Sequence, residues 1–185
     1  MLTDMLDTGD KREAQAVEAF KRDLASVSTG RANQALVDGI LVNYYGVMTP
    51  IQQLASITVP DARMLVLEPW DKTALPAIEK ALIKDALGLN PLSDGNVLRL
   101  PVPQLTEDRR KQLVRVVRQK TENARIEVRN LRRIVLEEIR EQEKNKDISE
   151  DESKRAQGQL QKITDKHVAQ ITSLGEKKEK EVMEV

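Results

Sequence analysis

Eleven lysines and arginines lie between Arg109 and Arg140, against four glutamates, in a 185-residue chain whose formal charge is zero. At roughly 100° per helical residue, Arg118, Arg125, Arg129 and Arg132 fall within about 60° of one another. Lys111 shares that arc, and Arg133 and Arg140 sit at its edge. A guanidinium is a planar, permanently charged fork that grips phosphate through two parallel hydrogen bonds. The arc therefore suits a polyanion lying along a helix. Alternating acids and bases at i,i+4, the pattern of a self-neutralised surface helix, are sparse here.

Other chemistries are not expected. The chain has no cysteine, which excludes a disulfide, a thiolate nucleophile and a cysteine zinc site. The single histidine, His167, lies beside Ile163, Val168 and Ile171 and reads as structural. Asp147, Glu150, Asp151 and Glu152 lack the alternating ligands and central glycine of a calcium loop; they suit the positive end of a helix dipole instead. Gly46, Gly88 and Gly95 are isolated and cradle no phosphate. The expectation is a protein without catalytic residues, metal or cofactor, and not an enzyme. Trp70, Tyr44 and Tyr45 fall outside the arginine segment, which argues against base stacking. Contact with the backbone and shape of structured RNA is the better expectation.

The elements that must position these arginines follow from periodicity. Only 2% of residues are aromatic and 32% are charged, a composition for long helices packed by Leu, Val, Ile and Ala. A first helix is expected over about Asp10–Val27, striped by Val17, Phe20, Leu24 and Val27 and stopped at Gly30. A second should run from Thr106, as N-cap, to Lys144, striped by Leu113, Val117, Ala124, Val128, Leu131, Val135 and Ile139. A third opens on a Ser149/Glu152 capping box, with Leu160, Ile163, Ile171, Leu174 and Val182 as its stripe. The short loop near 145–148 makes the last two antiparallel. Between the first and second helices the texture changes. Ile40–Tyr45, Ile57–Val59, Met64–Leu67 and Val97–Leu100 read as strands, with a turn at Pro60–Ala62 and a helix over Thr73–Leu87. The expected architecture is α+β: a three-helix bundle from residues 1–30 and 105–185, with a small β/α/β domain, residues 31–104, inserted. No apolar run approaches the ~20 residues of a membrane span. The opening segment does not resemble a signal peptide. A cytoplasmic monomer is expected.

On particular motifs the chain resembles the ribosome recycling factors. They are Thr29-Gly30-Arg31-Ala32, Asp38-Gly39-Ile40, Tyr44-Tyr45-Gly46, Thr49-Pro50-Ile51, Gln53-Leu54-Ala55-Ser56 and Asp85-Ala86-Leu87-Gly88-Leu89-Asn90-Pro91. Pro103 to Arg110, Val128 to Arg133 and Ile148 to Asp151 complete the set, in order along the whole chain. The resemblance implies an L-shaped bacterial-type translation factor that binds the large ribosomal subunit and its RNA. With elongation factor G and GTP, such a factor splits the post-termination ribosome, the GTPase belonging to the partner. It implies RNA contacts by Arg110, Arg129, Arg132 and Arg133, with Arg31 at a hinge formed by Gly30, Arg31, Gln104, Leu105 and Thr106. The arc itself adds Arg118 and Arg125. Two positions depart from the usual family pattern: Ser28 stands where Arg is usual, and Ile134-Val135-Leu136 follow the Arg132-Arg133 pair. Two alternatives stay open: an RNA-binding paralogue that does not split ribosomes, and a helical-bundle protein that binds polypeptides and self-associates.

Overall fold

A computed structural model describes residues 2–84 and 89–184. In chain order the elements are α1 (Leu2–Ala25), β1 (Leu41–Tyr44), β2 (Val47–Pro50), β3 (Ala55–Asp61), β4 (Met64–Pro69), α2 (Leu75–Lys84), β5 (Leu92–Ser93), β6 (Leu98–Pro101), α3 (Glu107–Lys144) and α4 (Glu150–Met183). They form two compact units, Met1–Leu24 with Val114–Glu181, and Ala25–Leu113 with Val182–Val185. Segments 25–30 and 105–113, grouped with the helices on sequence grounds, thus fall in the sheet-bearing unit.

The first unit is a three-helix bundle. α3 runs antiparallel to both others: Gly9 meets Val135 and Lys120 pairs with Asp23, while Arg118 pairs with Glu179 and Arg132 reaches Gln161. α1 begins at Leu2, well before the expected Asp10, because Leu2, Met5, Leu6 and Gly9 extend its apolar stripe toward the N-terminus. Gly9 does not break the helix. It is a close-approach position, where an added Cβ would sit 3.1 Å from a Val135 methyl. The helix also ends at Ala25, so Gly30 is not its terminator.

Both long helices carry local signals. The Thr106 hydroxyl accepts the Arg109 N–H at 3.2 Å, capping α3. At its other end, Asp147 N–H donates to Gln142 O and Lys146 N–H to Glu143 O, both at 3.0 Å, a Schellman closure with Lys146 left-handed at φ 64°. The capping box of α4 is formed reciprocally: Ser149 N–H donates to Glu152 at 2.8 Å and Glu152 N–H to the Ser149 hydroxyl at 3.3 Å.

Along α3, Val117, Val128, Val135 and Ile139 are buried as expected, Leu131 only half, and Thr121 fills the remaining interior position. The interior of α4 departs from its apolar stripe. Ile163 and Leu174 are half-buried, while Ser153, Ala156, Thr164, His167 and Gly175 are buried. These small and polar side chains serve close approach and hydrogen bonding. The Thr164 hydroxyl donates to Glu13 Oε1 at 2.8 Å, and His167 Nε2 lies 2.6 Å from Asp10 Oδ1. Glu13 is fully buried, and its Oε2 has no partner. Burial pushes its carboxyl above the ordinary 4.5, only partly opposed by the Thr164 hydrogen bond.

The second unit holds a four-stranded antiparallel sheet, ordered β3-β4-β6-β5, and the β1–β2 hairpin. Val42, Ile51, Leu65, Leu67, Ile78, Leu98 and Leu100 form its core with α2. Tyr45 and Gly46 make the hairpin's two-residue turn at φ 48° and 84°, and Asn43 Oδ1 accepts the Gly46 N–H at 2.9 Å. Asp71 joins this hairpin to the turn that precedes α2, accepting the Tyr44 hydroxyl at 2.6 Å and the Thr73 N–H at 2.9 Å. The expected turn at Pro60–Ala62 lies further on. β3 continues to Asp61, because an edge strand tolerates Pro60, and its register is irregular between Thr58 and Asp61. β2 and β5 were not expected; both are short and lack a clear alternating pattern. α2 begins after a single 3-10 turn, Lys72–Ala74. Its expected end at Leu87–Gly88, with Asp85–Gly88 of the quoted motif, lies outside the described residues.

Two measurements test this packing. A Cβ on Gly175 would overlap the Thr121 side chain, lying 2.9 Å from its Cγ2. Gly175→Ala should therefore lose its helix-propensity gain of ~1 kcal/mol to overpacking. In a Thr121→Ala background, where only the contact with the residue 121 Cβ at 3.3 Å remains, the same change should be less destabilising in denaturant unfolding than it is in the parent. A second effect follows from the raised Glu13 carboxyl. Below the unfolded-state value the group is neutral in both states. As pH rises through 4.5, the unfolded chain releases a proton that the native chain retains, so stability falls. Glu13→Gln should therefore raise the melting temperature more at pH 7 than at pH 3.5.

Candidate nucleic-acid interface

The arginines of α3 divide by what they touch. In the helical unit, Glu122 serves two of them, accepting Arg125 Nη1 at 3.0 Å and Arg129 Nη1 at 3.4 Å. Chiefly the Arg125 hydrogen bond, with help from Arg129, holds the Glu122 carboxyl below its ordinary range. It therefore stays anionic throughout neutral pH. Arg125 also donates through Nε and Nη2 to the Thr172 hydroxyl of α4, at 3.2 and 3.0 Å, and its side chain is only 26% exposed. Arg132 donates to Gln161 at 2.6 Å, and Arg118 pairs with Glu179 at 3.0 Å.

Not all of these are equally open to a ligand. Arg118 and Arg129 keep 68% and 54% of their side-chain surface in water. Pairs so exposed are worth roughly 0–1 kcal/mol and are readily exchanged for another anion. Arg133 is exposed and forms no ion pair among the described residues. Arg125 is the most committed to the bundle, since most of its donors are already used. Arg118 and Arg132 also touch α4, each through one partner, so the arc contains a more accessible set, Arg118, Arg129, Arg132 and Arg133, and one member, Arg125, that is engaged on both α3 and α4. Glu122 and Thr172 are the partners that spacing alone did not single out; Glu122 lies at i,i+3 from Arg125 and could have been found.

Arg31 and Arg110 belong to the other unit. Gly30 has φ 78° and packs beneath Leu105, whose Cγ would lie 3.4 Å from an added Cβ. Gly30, Arg31, Gln104, Leu105 and Arg110 line one small cavity, which Thr106 does not join. Thr106 instead starts α3, its carbonyl accepting the Arg110 N–H at 2.9 Å. Arg63 and Glu184 also line the cavity. The sequence offered no local signal for either, because chain topology alone brings them there.

Among the described residues, no group of His, Cys, Asp or Glu side chains could hold a metal ion. No helix among them is long and apolar enough to cross a membrane.

Comparison with known proteins sets the class of this chain, whose helical unit carries the cationic helix and whose other unit carries the small antiparallel sheet: it falls among translation factors. The family model described as ribosome recycling factor matches residues 20–183. The chain is 52% identical over 185 residues to the ribosome-recycling factor of Syntrophomonas wolfei, covering all of both chains. It is 50% identical over 181 residues to that of Bacillus subtilis, covering 98% of this chain and 97% of the relative. A solution structure of a ribosome recycling factor superposes with TM-score 0.77 at 48% identity, covering all of this chain and 98% of the other. A second match, at TM-score 0.67 and 43% identity over the full length of both, is the Thermus thermophilus factor, described together with Escherichia coli elongation factor G on the E. coli post-termination complex. The chain belongs to the ribosome recycling factor family.

The Glu122 arrangement yields a direct test. Glu122→Gln removes the carboxylate shared by Arg125 and Arg129, both of which lie at or near the surface. Unfolding free energy should change by less than about 0.5 kcal/mol. Retention on immobilised double-stranded RNA at fixed salt should lengthen. Unchanged or shorter retention would mean that these arginines do not meet the polyanion.

Proposed function

We propose that this chain recycles ribosomes after termination, splitting the post-termination complex together with elongation factor G and GTP. Full-length similarity to ribosome-recycling factors at about half identity carries this reading. The related factor described with elongation factor G on a post-termination complex supports the choice of partner. The finer roles are also proposals. The protein acts as a cytoplasmic monomer and is not itself an enzyme; GTP hydrolysis belongs to elongation factor G. The bundle, residues 1–30 with 105–185, docks on large-subunit ribosomal RNA through Arg110, Arg118, Arg125, Arg129, Arg132 and Arg133, with Arg31 contributing at the hinge. Residues 31–104 act as a lever pivoting at Gly30, Arg31, Gln104, Leu105 and Thr106. Support for the docking role comes from the weak, exposed pairs of Arg118 and Arg129, which a phosphate can replace without a large desolvation cost.

Light scattering of post-termination ribosomes mixed with this protein, elongation factor G and GTP tests the activity. A fall in scattering that requires all three is expected; binding without splitting would identify the non-splitting paralogue. If Arg118, Arg129, Arg132 and Arg133 each neutralise one phosphate, ribosome affinity should drop about 100-fold between 50 and 200 mM salt. Arg133→Glu should weaken binding at low salt while changing stability by less than about 0.5 kcal/mol. A flat salt response would remove the arginine face from the mechanism.

A further inference from the structure

The cavity in the sheet-bearing unit has a volume of about 190 Å3, and its lining includes Arg31, Arg63, Arg110, Gln104, Thr29 and Glu184. Three arginines and one glutamate thus share its lining. None of the three forms an ion pair among the described residues. Arg110 is held in place by Nη1, which donates to Met183 O at 3.3 Å. Its Nε is buried and has no acceptor. A charged N–H stripped of water and left without a partner is unfavourable, and native proteins seldom tolerate it unless a ligand completes the site.

The backbone around the cavity is fixed. Ala32 N–H donates to Ala62 O at 2.7 Å, and Val102 N–H donates to Arg63 O at 2.8 Å. Arg63 N–H is itself bonded to Asp61 Oδ1 at 2.8 Å. These bonds tie the turn carrying Arg63 to the segments carrying Arg31 and Gln104. A liquid water occupies about 30 Å3, so the cavity has room for a tetrahedral oxyanion.

We propose that this cavity binds one phosphate group, gripped by Arg31, Arg63 and Arg110. The phosphate accepts the orphaned Arg110 N–H and offsets the repulsion among the three cations. Arginine clusters of this kind suit phosphate because each fork can donate two parallel hydrogen bonds. Gln104 and Thr29 can add neutral donors, and Glu184 sets a limit on anion affinity as the built-in competitor. The ligand is either free inorganic phosphate or a phosphodiester of an RNA strand. The proposal extends the contact role given to Arg31 and Arg110 and adds Arg63. It requires neither ribosome splitting nor the arginine face of α3.

The test uses the full chain without ribosomes. The Arg110 Nε–H resonance is followed while inorganic phosphate is added, with chloride as the control at matched ionic strength. A saturable shift with phosphate and none with chloride is expected, and Arg63→Gln should weaken it about tenfold. A backbone amide spectrum confirms that the variant is folded. A short single-stranded oligoribonucleotide identifies the source. A shift with the oligonucleotide alone assigns a phosphodiester, and a shift with phosphate alone assigns the free ion. An equal response to chloride, an Arg63→Gln affinity equal to the parent's, or silence with both ligands overturns the proposal.

Discussion

A helix of 38 residues, about 57 Å long, cannot persist in water on its own hydrogen bonds when it carries so much like charge. α3 depends on burying one line of side chains, from Val117 through Thr121, Ala124, Val128, Val135 and Ile139, against α1 and α4. The chain supplies these partners from distant places: α4 follows after a short turn, and α1 comes from the far end of the sequence. Everything proposed for the arginines presupposes this burial, because it fixes the angular position of each one. A rotation of α3 by one residue, about 100°, would turn the cationic arc into the bundle and expose the valines.

The same geometry explains why the cations are only loosely neutralised. The apolar line and the arginine arc are adjacent on α3, so arginines at their border reach across to α4. Arg125 meets Thr172 and Arg132 meets Gln161, both neutral partners. A neutral acceptor orients a guanidinium without cancelling its charge. Carboxylates do pair with the half-buried Arg125 and with Arg129 and Arg118, but the last two remain largely in water. The face is thereby held in place while its field stays available to a polyanion, which is how an electrically neutral chain can carry a local cationic surface.

How much of this could be read from the sequence varies with the range of the interaction. The Thr106 cap and the Ser149/Glu152 box are encoded within four residues, and both were recovered. α1 starts at Leu2, before the expected Asp10, and Gly9, a poor helix former, is accommodated inside it by close contact with Val135. The interior of α4 departs from its apolar stripe for a related reason. Periodicity counts apolar residues, yet Thr164, His167 and Gly175 occupy the buried line because Glu13, Asp10 and Thr121 face them. Short strands such as β5 depend on pairing with β6 and carry little signal of their own. Among the site residues, the α3 arginines followed from spacing. Arg63 could not, since a turn distant in sequence delivers it.

The polar line inside the bundle bears on how the helices respond to load. Apolar side chains can exchange one greasy neighbour for another, so a bundle sealed only by leucines offers modest resistance when one helix is pulled along its axis. Here α1 and α4 are pinned by Glu13 to Thr164 and by Asp10 to His167, and Thr121 of α3 nests against Gly175 where no side chain intervenes. Sliding by one helical turn would strand a buried carboxylate and drive a threonine into a side-chain-bearing position. The interior therefore works as a set of keyed detents, and shear applied at one end of the helices is passed to the other as displacement instead of being lost in slippage.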